Sequence, residues 1–267
     1  MELIRHILAC NNAQLPGDRW PVWLDGEHVG WVRHAIAEQA AELGAGLDES
    51  GLTLRREQVA PLTSALAARR LFRWRDEAFD LRADPDGPAL AQIDRGALPL
   101  FGLGAIGVHL NGLVGDRLWV ARRSRGKPLD PGKLDHLVAG GVAAGDTVTS
   151  TVLKEAAEEA CLPPALAANA RAVGRIRYAM ERAEGLRRDT LFCFDLELPA
   201  GFEPRAADGE VEAFELWPLE RVLETVRRSD DFKFNVNLVL IDLFIRRGLV
   251  SGAEAASLTA ALASGPR

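Results

Sequence analysis

Cysteine is scarce in this sequence, and none of it stands at a metal-binding spacing. The 267 residues include three cysteines, Cys10, Cys161 and Cys193, which lie far apart along the chain. An odd number without a Cys-x-x-Cys pair argues against both a disulfide framework and a zinc site. We therefore expect all three thiols to be reduced and structural.

Long hydrophobic runs and an excess of positive charge are also missing. No segment approaches the roughly 20 apolar residues of a membrane span, and the N-terminus lacks the basic and apolar regions of a signal peptide. The net charge of -6 gives no global field that would attract nucleic acid. We expect a cytoplasmic protein that binds neither membranes nor nucleic acids.

The sequence does contain enough apolar residues, 48%, for a substantial core. Residues 1–100 predict a small α/β N-terminal domain, with a hairpin over 20–32 that turns at Asp25-Gly26 and a helix that begins at Pro61. Residues 101–250 predict a second domain, and 251–267 a C-terminal helix packed on it. We find no repeat and no low-complexity linker.

The second domain alternates strand and helix patterns. Strands are predicted over 105–110 and 117–122, joined by a turn at 111–116, and a core strand is predicted over 188–198. A strongly apolar helix is predicted over 234–247. The fold class is thus α/β (α+β), a mixed sheet between helices.

An acidic motif follows a glycine-rich turn at residues 139–145. Glu155, Glu158 and Glu159 stand at i, i+3 and i+4, so on a helix their like charges share one face. Asp146 or Thr147 is a candidate N-cap of that helix. Charge runs are more often solvated faces, but carboxylates at this spacing also suit Mg²⁺, with Mn²⁺ as a substitute.

The frame around the acidic motif favours the metal site. It consists of Gly140, five residues, Asp146, seven residues, Lys154-Glu155-Ala156, any residue, Glu158-Glu159, any residue, and Cys161-Leu162. This resembles the Nudix box, the loop-helix motif of enzymes that hydrolyse nucleoside diphosphates linked to another group. The resemblance implies that Glu155, Glu158 and Glu159 bind metal, and that Gly140 and Gly141 lie at the metal and the diphosphate.

The match departs from the Nudix pattern at three positions. Asp146 stands in place of Glu, Lys154 in place of Arg, and Cys161 in place of a helix-ending Gly, so the last helical turn must close differently. The glycine pair is also shifted by one residue. Whether the carbonyl of Ala139 or that of Gly140 faces the metal is left open.

The resemblance extends beyond the box, to a Nudix subfamily related to the N-terminal part of fungal thiamine pyrophosphokinase. The segments that carry it are 21–32, 135–141, 154–160, 185–199, 208–212 and 230–235. It implies a Nudix α/β/α sandwich, preceded by the small N-terminal domain. It also implies a Mg²⁺-dependent hydrolase that converts thiamine diphosphate, or its oxidised analogues, to the monophosphate and phosphate.

Further candidate residues follow from this resemblance. Of the late acidic residues Glu210 and Glu212, we favour Glu212 as catalytic, and Arg187 and Arg188 are candidates for binding the diphosphate. We interpret the polar residues Lys233, Asn235 and Asn237 as the exposed start of the apolar helix.

Two alternatives of function stay open. One is a Nudix hydrolase of another small-molecule diphosphate, such as ADP-ribose, a dinucleotide or coenzyme A. The other is a Nudix-fold binding protein without activity. The apolar N-terminal domain is also compatible with a homodimer.

Overall fold

The computed structural model describes residues 2–207 and 209–265, so Asp208 of the segment 208–212 lies outside the described residues. The helices are α1 Ile4–Cys10, α2 His34–Glu42, α3 Arg56–Ala68, α4 Val148–Ala160, α5 Pro164–Ala167, α6 Leu219–Arg228, α7 Val236–Arg246 and α8 Gly252–Ala263. The strands are β1 Arg19–Leu24, β2 Glu27–Arg33, β3 Gly46–Asp48, β4 Gly51–Leu54, β5 Ala78–Leu81, β6 Ala91–Asp94, β7 Gly104–Val114, β8 Arg117–Arg123, β9 Leu134–Asp135, β10 Val138–Gly141, β11 Arg171–Arg182, β12 Gly185–Glu197 and β13 Val211–Pro218.

The larger sheet has seven strands and is mixed. Its order is β11-β12-β7-β8-β13, with β10 paired to β7 and β9 paired to β8. Strands β7 and β12 run parallel, while β7 and β10 run antiparallel. Helix α4 covers one face, and α1, α6, α7 and α8 cover the other. This confirms the predicted sandwich with a mixed sheet between helices.

The alternation of side chains along β7 explains the two layers of the core. Val108 and Leu110 pack with Val152 and Ala156 of α4, while Leu113 faces the cluster that contains α7. Successive residues of a strand point to opposite faces, so one strand serves both cores.

The strand β7 is longer than the sequence predicted. It continues through Asn111 and Gly112, and the turn falls at Gly115 and Asp116. The Asn111 amide donates to Asp195 over 2.9 Å. A side chain on Gly112 would lie 2.3 Å from Leu137. The predicted turn at 111–116 was therefore too early, because Asn111 and Gly112 were needed for packing and not for a turn.

The N-terminal unit has a separate four-stranded sheet, in the order β2-β1-β4-β3, and its own core. The hairpin of β1 and β2 is confirmed. The prediction that a helix begins at Pro61 was wrong, because Gln58 accepts from the amide of Arg55 over 2.9 Å and starts α3 five residues earlier. Strands β5 and β6 form a further antiparallel pair.

Helix α1 belongs with the second core rather than with the N-terminal unit. Leu3, Ile7 and Cys10 are buried in the cluster that α7 and α8 also enter. The first residues of the chain therefore pack outside the domain predicted for 1–100, whereas α8 lies on the second domain. Within the described residues, none of the helices is long and apolar enough to cross a membrane.

Candidate active site

Helix α4 presents the acidic motif and is capped at both ends. Thr147 accepts from the amide of Ser150 over 3.0 Å, and the Ser150 hydroxyl accepts from the amide of Thr147 over 2.9 Å. Of the two predicted caps, Thr147 is therefore the one used. At the other end Cys161 adopts the left-handed conformation, with a φ of 50°. This is the conformation that glycine favours at the end of a helix, so the helix ends at the expected place despite the substitution.

The carboxylates of Glu155, Glu158 and Glu159, hereafter the α4 carboxylates, lie together on this helix with different exposure. Glu158 is exposed, Glu155 is half-buried and Glu159 is buried. Burial first, and then the nearby charges of Glu158 and Glu210, raise the pKa of Glu155 to about 7. Burial also raises the pKa of Glu159 to about 8, although a hydrogen bond from the amide of Ala139 opposes this shift. The protein thus supplies too little positive charge to neutralise this face.

The glycine turn touches the α4 carboxylates directly. A side chain on Gly140 would lie 2.4 Å from the carboxyl carbon of Glu155, so a larger residue would displace that carboxylate. A side chain on Gly141 would lie 2.6 Å from the ring of Phe79 on β5. Gly140 therefore lets β10 approach helix α4 closely, and Gly141 lets it approach the N-terminal unit.

The hydrogen bonds of β10 distinguish the two carbonyls left open above. The amide of Val142 donates to the carbonyl of Ile106 over 2.9 Å, so the alternation of an antiparallel ladder turns the polar groups of Gly140 towards β7 as well. Those of Ala139 point away from β7, and its amide donates to Glu159 over 2.9 Å. The Ala139 carbonyl shares this direction, towards the helix.

The late acidic residues are placed differently from the sequence interpretation. The charge of Glu210 raises the pKa of both Glu155 and Glu159. Glu212 is exposed and accepts from the amide of Arg125 over 2.8 Å. Electrostatic proximity therefore favours Glu210 over Glu212 as the late acidic residue of the site.

The two predicted diphosphate-binding arginines also have separate surroundings. Arg187 is engaged by Asp189 at 3.2 Å and Glu184 at 3.6 Å, which favours a structural role. Arg188 donates to the Gly102 carbonyl over 3.1 Å and lines a cavity of about 130 Å³ between the N-terminal unit and the large sheet. Neither arginine makes a described contact with the α4 carboxylates.

Lys233, Asn235 and Asn237 are not the exposed helix start that the sequence suggested. The two asparagines are 5% and 2% exposed, and the Lys233 side chain is 13% exposed. The ammonium of Lys233 lies 3.8 Å from Asp135, which also accepts from Arg123 over 2.7 Å. The correction has a simple cause, since α7 is apolar all round and is therefore buried together with its first turn.

His109, Asp135 and His136, hereafter the buried histidine cluster, lie at the beginning of the glycine-turn segment. Their ligand atoms are within 4.8 Å of one another, which makes the cluster a second candidate metal site. However, the Nδ1 atoms of the two rings are 2.9 Å apart and form a hydrogen bond. Asp135 also accepts from the amide of His136 over 2.9 Å.

The charges around the buried histidine cluster oppose a metal ion there. Burial disfavours the charged form of Asp135, but Lys233 and Arg123 outweigh it and lower the pKa of this carboxyl. Burial lowers the pKa of His136 to about 4, and that of His109 is lowered well below its ordinary value for the same reason. Asp135 is already paired with Arg123 and Lys233, whose positive charges repel a cation, so the α4 carboxylates are the better candidates for metal donors.

Comparison with known proteins agrees with this geometry. The model of the NUDIX domain matches residues 103–237, about half of the 267-residue chain. The chain belongs to the Nudix family. Its box carries all three α4 carboxylates, and the match begins at the end of the N-terminal unit.

Two relatives from Arabidopsis thaliana show how far the similarity extends. Nudix hydrolase 24, chloroplastic, is 43% identical over 180 residues, which cover 66% of this chain and 49% of that protein. Nudix hydrolase 20, chloroplastic, is 41% identical over 180 residues, which cover 66% of this chain and 48% of that protein. This Nudix chain thus spans about half the length of these curated relatives.

A solved structure gives a weaker comparison. DR0079 from Deinococcus radiodurans has 21% sequence identity, covers 61% of this chain and 97% of its own, and superposes with a TM-score of 0.46.

The sequence analysis did not predict several residues that lie at or beside the site. Phe79 and Arg95 come from the N-terminal unit and contact each other beside the glycine turn, and Asp135, His109 and Lys233 form a buried polar cluster. For Lys233 the sequence did hold a signal, because the helix that follows it is apolar on all sides. For Phe79 and Arg95 it held none, since their position depends on the docking of two units.

Proposed function

We propose that this Nudix protein is a divalent-metal-dependent hydrolase of diphosphate linkages. The observation that carries the proposal is the group of α4 carboxylates, which share one helical face and form no ion pair within residues 2–207 and 209–265. Hard oxygen donors of this kind fit Mg²⁺, with Mn²⁺ as a substitute. Gly140 packs against Glu155, and because it has no side chain it does not cover the Glu155 carboxylate.

The residues that would hold the ion are Glu155, Glu158, Glu159 and the carbonyl of Ala139. Of the two carbonyls that the sequence left open, we choose that of Ala139, because the polar groups of Gly140 are directed to β7. When bound, such an ion neutralises diphosphate charge and makes water a better nucleophile at neutral pH. The Ala139 amide fixes the orientation of Glu159. Glu210 pairs with Lys127 and is close enough for its charge to raise the pKa of Glu155, and we assign it as the carboxylate that would accept a proton from water.

The substrate we propose is thiamine diphosphate or an oxidised analogue, converted to the monophosphate and phosphate. This rests on the resemblance of segments along the whole chain to the thiamine-related subfamily. The cavity beside Arg188 is a candidate place for the organic part of the substrate. A cytoplasmic location and a homodimer stay predictions.

The test is release of phosphate or nucleotide from a panel of diphosphates in the presence of Mg²⁺. The panel contains thiamine diphosphate, its oxo derivative, ADP-ribose, NADH and coenzyme A, compared by kcat/KM. The highest kcat/KM is expected for thiamine diphosphate or its oxo derivative, and Glu158→Gln should lower it about 100-fold or more. The matched control is Glu220→Gln, which removes an exposed helical carboxylate elsewhere.

Each outcome of the panel separates the hypotheses. A higher kcat/KM for ADP-ribose or coenzyme A would assign another diphosphate substrate. Absence of hydrolysis across the panel would support the binding-protein alternative. Unchanged turnover in Glu158→Gln would contradict the metal-ligand assignment.

A further inference from the structure

The N-terminal unit meets the catalytic helix through strand β5. The amide of Ala144 donates to the carbonyl of Ala78 over 2.8 Å, and the amide of Gly145 donates to Asp80 over 3.4 Å. Between them, the Phe79 ring lies against Gly141 at a distance that excludes any side chain there. The strand thus runs along the loop that leads into α4.

The next strand carries a cation to the same place. The guanidinium carbon of Arg95, just after β6, lies 5.4 Å from the centre of the Phe79 ring. Phe79 contacts Gly141, and the neighbouring Gly140 contacts the Glu155 carboxyl. This chain of contacts puts Arg95 at the edge of the α4 carboxylates, and its charge is among those that lower the pKa of Glu155 against the larger effect of burial.

The backbone around Arg95 is held in a fixed conformation. The carboxylate of Asp94, which is 5% exposed, accepts from the amides of Arg75, Asp76 and Gly96 at 3.0, 2.9 and 2.8 Å. The amide of Arg95 donates to the carbonyl of Glu77 over 2.8 Å. A buried carboxylate with several amide donors is a rigid anchor, so the position of Arg95 is set before any ligand binds.

The guanidinium itself has free donors. Its Nη1 atom donates to both carboxylate oxygens of Glu77, at 3.1 and 2.9 Å. In residues 2–207 and 209–265, its Nε and Nη2 atoms have no hydrogen-bond partner, and the side chain is 46% exposed. A half-exposed guanidinium with one edge free can bind two oxygens of a phosphate.

We propose that Arg95 binds the diphosphate of the substrate, so that the N-terminal unit completes the active site of the Nudix domain. The inference rests on the proposed function, since it assumes that a diphosphate lies on the α4 carboxylates. It explains why the glycine turn is packed against Phe79 rather than exposed. Arg95 then adds a positive charge from the N-terminal unit to that of Lys154 on α4.

The test measures binding of methylenediphosphonate, a non-hydrolysable diphosphate, to the full chain with Mg²⁺ by calorimetry. Arg95→Ala should weaken binding about tenfold or more, and Arg95→Lys by less, because Lys keeps the charge but loses the fork. The control Arg75→Ala removes an exposed arginine of the same segment and should leave the Kd unchanged.

A second variant separates binding from folding. Glu77→Gln breaks the ion pair but leaves the guanidinium in place, so it should retain or tighten binding. Equal weakening in Glu77→Gln and Arg95→Ala would overturn the inference, as would wild-type affinity in Arg95→Ala.

Kinetics distinguishes this inference from the proposed function. If the wild type hydrolyses a diphosphate and Arg95→Ala does so with the same KM, the role of Arg95 is refuted and the proposed function stands. If the wild type hydrolyses no diphosphate and binds no methylenediphosphonate, the proposed function fails and the inference with it.

Discussion

The α4 carboxylates and the buried histidine cluster both lie beside Ala139 of β10, whose amide donates to Glu159 and which pairs with His109 of β7. The protein neutralises the charge of one group and not that of the other. In the buried histidine cluster, Arg123 and Lys233 pair with Asp135, and its pKa is lowered despite burial. In the α4 carboxylates, burial and mutual repulsion raise the pKa of Glu155 and Glu159. Buried charge that the protein compensates is structural, whereas charge left uncompensated in an accessible place is suited to an external cation.

The largest effect on stability is expected from removing Lys233, one of the two cations that neutralise Asp135. Lys233→Met keeps the volume of the side chain but leaves Asp135 with Arg123 as its remaining ion-pair partner. We expect a loss of about 3 kcal/mol in the free energy of unfolding, because breaking a buried pair strands its partner charge. Urea unfolding measures it, with Lys154→Met, an exposed lysine of α4, as the control. An equal, small effect of both substitutions would show that the cluster is not a charged core.

A smaller effect on stability, with a defined pH dependence, is expected when one of the α4 carboxylates is replaced in the metal-free protein. The pKa of Glu159 is raised on folding to about 8, so its contribution to stability is present below the unfolded pKa near 4.5 and is lost as pH rises through 8. Glu159→Gln cannot ionise and still accepts a hydrogen bond. In EDTA, we expect the stability of Glu159→Gln relative to the wild type to increase by about 2 kcal/mol between pH 6 and pH 8.

Once Glu155 and Glu159 can no longer ionise, the buried histidine cluster should dominate the remaining pH dependence of the free energy of unfolding. Because folding lowers the pKa of His136 to about 4, the unfolded chain takes up protons below pH 6.5 that the folded chain does not. Glu155, whose pKa is also raised, has the opposite pH dependence, so it is replaced as well: in Glu155→Gln/Glu159→Gln, the free energy of unfolding should fall by about 2 kcal/mol from pH 7 to pH 5. Unfolding curves that are independent of pH in both proteins would remove the contrast between the clusters.

The smallest effect is expected on kcat/KM, from replacing the late acidic residues Glu210 and Glu212. Glu210→Gln should lower kcat/KM about tenfold, since a carboxylate close to Glu155 and Glu159 is lost, while Glu212→Gln should change it by less than about twofold. The pair is matched, because the two residues lie on the same short segment. A larger loss in Glu212→Gln would restore the sequence interpretation.

The sequence predicted the local parts of the site well. Helical spacing alone brings Glu155, Glu158 and Glu159 to one face, and the cap at Thr147 follows from the residue type at the start of the helix. The mixed sheet and its flanking helices followed from the order of patterns. Each of these depends on residues that are close in sequence.

The other parts depend on tertiary packing. The choice between Glu210 and Glu212 depends on how one segment folds over the helix, and Arg95 reaches the site from 60 residues upstream of Glu155. The direction of the Ala139 carbonyl depends on the register of β10 with β7, which the sequence does not specify. Lys233 was interpreted as exposed because its polarity was considered without the burial of the helix that follows.

The most direct test is a calorimetric titration with Mn²⁺ of the wild type, Glu158→Gln and His136→Asn. The α4 carboxylates predict saturable binding to the wild type, binding at least about tenfold weaker in Glu158→Gln, and retained binding in His136→Asn. Unchanged binding in Glu158→Gln together with its loss in His136→Asn would place the metal in the buried histidine cluster and contradict the account.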